Sequence, residues 1–173
     1  MFGTSSIIDD LSRDPPQSAI GTNWQIFTDK VMGGLSQGSM ARKNIAGRPA
    51  IHMRGDVSLE NGGGFIQISL DLARDSETFD ASGWLGIEID AYGRSDKYDL
   101  RLRTAELDQP WQSYRQTFAL EPNWKTIQLS FGQFEPHRTE KRLNIRRLRR
   151  LGLVAIGKDF SADLALGGIR FFA

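Results

Sequence analysis

Hydrophobic and polar residues alternate along almost the whole chain. Trp84–Tyr92 sets Leu85, Ile87, Ile89 and Ala91 on one face, with Glu88 and Asp90 on the other. Tyr98–Thr104 sets Tyr98, Leu100 and Leu102 against Arg101 and Arg103, and Phe65–Leu72 sets Ile66, Ile68, Leu70 and Leu72 against Gln67, Ser69 and Asp71. Lys125–Phe131 does the same with Ile127, Leu129 and Phe131. Period-two alternation marks half-buried strands, one face on the core and one in solvent. Further strands are expected at Ser5–Ile8, Trp24–Thr28, Ala50–Arg54, Ser113–Phe118, Leu151–Ile156 and Leu164–Phe172. Asn61-Gly62-Gly63-Gly64, Gly93-Arg94-Ser95-Asp96 and Glu121-Pro122-Asn123 are turn-rich breaks between them. Only Asp71–Phe79 and part of Thr139–Leu151 could be helical. With no strand–helix–strand rhythm, the pattern predicts an all-β, two-layer antiparallel sandwich rather than a barrel. Its inner layer should include Ile66, Ile68, Ile87, Ile89, Leu100, Leu102, Ile127 and Leu129.

The chain has 173 residues, about one domain's length, and residues 1–173 are expected to form one domain. It contains no cysteine, which excludes disulfides and thiolate metal sites. The N-terminus has neither the basic start nor the apolar run of a signal peptide, and no stretch is long and apolar enough to span a membrane. A cytoplasmic location is therefore the default expectation. Charge is uneven: Arg138–Arg150 holds seven basic residues and one acid, Glu140, a local +6 inside a chain of net +1. The basic segment reads first as a solvated surface. Without interleaved aromatics, nucleic-acid binding is not expected.

Catalysis finds little support. His52 and His137 lack metal-ligand spacing to each other, and Ser36 in Gly34-Leu35-Ser36-Gln37-Gly38 imitates a nucleophile elbow without the helix that an elbow requires. No catalytic residue, metal or cofactor is expected. The Gly-rich runs lead into no helix and fit no phosphate loop, so their glycines read as sites of positive φ or close backbone approach. Glu88 and Asp90 on one strand, and Arg101 and Arg103 on the next, are joined by a short turn. They are expected to face each other as a charged hairpin patch, extended by Gln67, Ser69, Trp124 and Gln128. Such a patch suits docking to a protein; Trp124 is the one aromatic on it that a sugar could use.

One long run is distinctive. Thr28-Asp29-Lys30-Val31-Met32-Gly33-Gly34-Leu35-Ser36, followed by Gly55-Asp56-Val57-Ser58-Leu59-Glu60-Asn61 and Gly63-Gly64-Phe65, resembles the complex I intermediate-associated protein 30 family. Tyr98-Asp99-Leu100-Arg101-Leu102-Arg103, Phe134-Glu135-Pro136 and Ile156-Gly157-Lys158 agree with it, so the resemblance spans about residues 20–173. It implies a galactose-binding-like jelly roll, close in shape to carbohydrate-binding modules. It also implies a non-catalytic assembly factor for respiratory complexes, partnered by their subunits or assembly intermediates, with carbohydrate binding as the alternative. Asp29, Ser36 and Asn61 stand in the motif as candidate binding residues. Asp29 is expected to be structural first, accepting N–H bonds from the Gly33-Gly34 turn.

Overall fold

The computed structural model describes residues 6–173. Strands β1 (Ile7–Asp9), β2 (Gln25–Thr28), β3 (Gln37–Ile45), β4 (Arg48–Val57), β5 (Phe65–Asp71) and β6 (Gly86–Gly93) make up the first half. Strands β7 (Asp96–Thr104), β8 (Ser113–Leu120), β9 (Lys125–Ser130), β10 (Glu135–His137), β11 (Leu148–Ile156) and β12 (Phe160–Phe172) make up the second. They form two six-stranded sheets. In the first, the order is β3-β4-β12-β6-β9, and β1 also pairs with β12; in the second it is β10-β8-β7-β11-β5-β2. All the pairings are antiparallel.

The inner faces carry the alternating residues. Ile66, Ile68, Leu70, Leu100, Leu102 and Leu153 of the second sheet pack with Ile87, Ile89, Leu164, Leu166 and Ile169 of the first in one buried cluster. Ile87 and Ile89 sit opposite Leu129 and Ile127 on β9, where Leu129 is buried and Ile127 partly so. This is the expected inner layer, and a one-residue slip in any of these strands would turn its apolar set outward.

Three expectations change. No helix forms over Asp71–Phe79: Asp71 ends β5, bends and a turn follow, and Phe79 bridges to Leu148. Within Thr139–Leu151 there is only a 3-10 turn at Ile145–Arg147, after which β11 begins. A strand at Gln37–Ile45 joins the sandwich as an edge of the first sheet, outside the segments in which alternation predicts strands. The expected first strand begins at Ile7, and Ser5 lies outside the described residues.

A further change matters most for function. The turn Gly93–Asp96 does not close a hairpin, because β6 belongs to the first sheet and β7 to the second. The chain crosses between the layers there, with Gly93 N donating to Glu121 O and Arg94 N to Asp163 O.

Candidate functional site

The motif run folds into a clasp. Asp29 opens a 3-10 turn, Asp29–Met32, capped by the Thr28 hydroxyl, which accepts from Lys30 N. Its carboxylate is fully buried. It accepts from Ser36 N at 2.9 Å, Phe65 N at 3.2 Å, Gly64 N and the Ser36 hydroxyl. Ser36 Oγ in turn accepts from Ser58 N at 2.8 Å. One carboxylate thus ties the 29–36 loop to the start of β5, and Ser36 ties it to the end of β4. Two glycines make this possible: a Cβ on Gly34 or on Gly63 would stand 2.5 Å from the Asp29 carboxylate. Burial opposes the charge, but the bonds from Ser36, Gly64 and Phe65 outweigh it and hold the Asp29 pKa below its ordinary value. The expectation of a structural Asp29 is met with different donors, since Gly33 N and Gly34 N go to the carbonyls of Lys30 and Asp29. Asn61, in a left-handed conformation, reaches Gly33 O across the two loops at 3.4 Å.

The loops so clasped expose apolar side chains. Val31 is 73% exposed and Met32 60%, and Leu35 and Leu59 are exposed as well. Their signal in the sequence is an apolar set inside a glycine-rich loop, where period-two packing gives it no face to occupy.

The outer face of the first sheet holds Glu88, Asp90, Trp124 and the expected Gln128, joined by Arg48, Thr126 and Arg170. Asp90 accepts from both terminal guanidinium nitrogens of Arg170 at 2.9 and 3.1 Å, from Arg48 at 2.8 Å and from the Thr126 hydroxyl at 2.7 Å. The Arg170 bonds lead, burial opposes, and Thr126 and Arg48 add, so the carboxyl is held far below the usual carboxylate range. Glu88 takes the Arg170 Nε and accepts from Gln128 at 2.9 Å. Trp124 donates to Ile45 O at 3.0 Å, lies beside Tyr92 and carries the Arg48 guanidinium 4.9 Å above its ring. No short-range signal could have found Arg48 or Arg170, which reach Asp90 only through the β4-β12-β6 order.

Arg101 and Arg103 lie on the second sheet, so the expected patch with Glu88 and Asp90 does not form. The acid for Arg101 is Asp99, two residues back on its own strand, at 3.0 Å, and Asp99 also accepts from Thr117 at 2.7 Å. Arg103 donates through one nitrogen to the carbonyls of Gln109, Pro110 and Gln112, holding the loop that follows β7. Gln67 and Ser69 lie on β5 in this second sheet, apart from Trp124 and Gln128. Among the described residues no three acid or histidine side chains gather as a metal would need.

Solved structures place the architecture. The family 11 carbohydrate-binding module of the cellulosomal cellulase Lic26A-Cel5E of Clostridium thermocellum superposes with a TM-score of 0.76 at 13% identity, covering 98% of this chain and 95% of that one. A family 30 carbohydrate-binding module gives 0.66 at 10% identity over 96% and 88% of the two chains. An exo-β-agarase gives 0.61 at 11% identity, covering 96% of this chain but 24% of the enzyme. The fold is therefore the β-sandwich of carbohydrate-binding modules, as the resemblance implied. No curated protein matches the sequence. A sequence model of the complex I intermediate-associated protein 30 (CIA30) family matches residues 16–166, and the chain belongs to that family. No helix of the described residues is long and apolar enough to cross a membrane.

Proposed function

We propose that the chain is a non-catalytic assembly module that docks an apolar protein surface through the two loops clasped by Asp29. The carrying observation is the set Val31, Met32, Leu35 and Leu59, exposed on loops whose bases are pinned by a buried carboxylate. Apolar side chains held ready on a fixed base lose little freedom on binding, which favours affinity. The family name supplies the partner: an assembly intermediate of the respiratory NADH:ubiquinone oxidoreductase. In this reading Asp29, Ser36 and Asn61 shape the surface rather than touch the partner.

The test is native electrophoresis of crosslinked cells that make the tagged chain. Co-migration with a subunit of that oxidoreductase is expected, and V31D/M32D should remove it at unchanged melting temperature, a loss of about tenfold or more for an interface hot spot. Co-migration that survives the double variant overturns the reading.

Carbohydrate binding is the second reading, supported by the modules that share the fold. Sugar sites of this kind present open aromatic rings, and among the described residues Trp111, 57% exposed, is the open ring; Trp124 is covered by Arg48. A glycan-array signal abolished by W111A would favour this reading, and a blank array would remove it.

A further inference from the structure

Like charges stand directly opposite each other at one point in the second sheet. Arg150 on β11 pairs with Arg103 on β7. Cross-strand like charges destabilise a sheet, so this pairing asks for a compensating anion. Asp71 is the neighbour on the other side of Arg150 and binds its Nε at 2.7 Å. Arg103 receives no acid; its one bonded nitrogen goes to neutral carbonyls, and its Nε and second terminal nitrogen bond nothing among the described residues.

A third arginine is added by an irregularity. The β7–β11 register shifts between Leu148 and Arg150, with Arg149 as the extra residue. Bulges re-aim side chains and recur beside functional sites. Arg149 is exposed and makes neither an ion pair nor a side-chain hydrogen bond among the described residues.

The three arginines line one cleft of about 180 Å³, together with Asp71, Ala73, Ser76, Glu77, Thr104 and Leu107. One water needs about 10–15 Å³ of such space, so the cleft admits a tetrahedral oxyanion with its hydrating waters. Glu77 forms no ion pair with any of the three arginines. Burial, and then the charges of Arg150 and Arg149, push the Arg103 guanidinium below its ordinary pKa.

We propose that the Arg103–Arg149–Arg150 cleft is a binding site for a phosphate group. Free terminal nitrogens on three guanidiniums can surround tetrahedral oxygens, and arginine's planar fork suits bidentate phosphate contacts. The site is independent of the docking loops. β5 and β11 run from the clasp, where Phe65 faces Ile156, to the cleft, where Asp71 faces Arg150. Six strand steps separate the two ends by about 20 Å.

The experiment titrates the full chain with inorganic phosphate, followed by backbone amide shifts, against sodium chloride at equal ionic strength. Phosphate should move the amides of residues 71–77, 103 and 149–150, and chloride should not. R149Q carries the decisive arm, because Arg149 holds nothing else in place. It should weaken phosphate binding about tenfold or more and leave the phosphate-free melting temperature unchanged or raised. Sedimentation with phosphatidylcholine vesicles containing phosphatidic acid separates the sources: vesicle binding lost in R149Q assigns the phosphate to a lipid, and phosphate binding without vesicle binding assigns it to a soluble ligand. Amides that respond equally to chloride, or an R149Q that binds phosphate like the parent, overturn the site.

Discussion

Asp29 and Asp90 are both held ionised in places that disfavour charge, by opposite means. Every donor to Asp29 is neutral: three backbone N–H groups and one hydroxyl. Asp90 is answered by two guanidiniums and one hydroxyl, and the two arginine side chains are 30–40% exposed. The first arrangement is short-range, directional and dry, and it fixes backbone. The second fixes side chains on a sheet face that is already built. Removing Asp29 should therefore strand buried donors, whereas removing Asp90 releases cations that reach water.

The largest effect expected is from Asp29→Ala. Unsatisfied buried donors cost about 1–3 kcal/mol each, so the clasp should lose about 3–4 kcal/mol, a fall in Tm of about 10 °C for a chain of this size. Thermal unfolding by circular dichroism reads it, and a change under 2 °C would mean that the loops are anchored elsewhere. Asp90→Ala should cost less, about 1–2 kcal/mol, because Arg48 and Arg170 rehydrate. That smaller cost should shrink in 1 M salt, where screening reaches within about 3 Å, while the Asp29 cost should not. Urea titrations at low and high salt compare the two, and equal salt sensitivity would erase the distinction.

Acid sharpens the comparison least but fixes its sign. Both carboxyls have pKa values lowered in the folded state from an ordinary 3.8. A depressed folded pKa gives stability that is fully present above the unfolded value and is lost as pH falls through the folded one. The stability gap between the parent and Asp29→Asn should thus be constant from neutral pH down to about 4 and narrow below it. A gap that widens in acid would mean that Asp29 is protonated in the folded protein.

The strands with one clean apolar face were legible because burial on one side imposes period two: Phe65–Leu72 and Tyr98–Thr104 declare themselves. The edge strand Gln37–Ile45 did not, since little of it is buried and its side chains are mostly polar. The helical look of Leu148 and Leu151, three apart and both fully buried, comes from the bulge at Arg149, which inserts one residue and turns a strand's spacing of two into a helix's spacing of three. The charged patch failed at the Gly93–Asp96 turn. A tight turn between two alternating strands reads the same whether the chain folds back beside itself or crosses to the other layer. The choice is made by β12 and β9, which occupy both edges of β6. Asp29's donors were hidden for a similar reason, as Gly64 and Phe65 lie 35 and 36 residues away.

The place of β12 has a consequence for how the molecule is made. This thirteen-residue strand is the last in sequence, yet it lies between β4 and β6 and also carries β1. While the chain is being synthesised, β4 and β6 therefore have no strand to join them, and the apolar faces of Ile51, Met53, Ile87 and Ile89 stay open until β12 has left the ribosome. The first sheet can close only in one late step, when a single strand zips into a waiting gap. A nascent chain stalled before Phe160 would hold a nearly complete second sheet facing an unfinished first one, and that is the species for which a cell's chaperones would have to care.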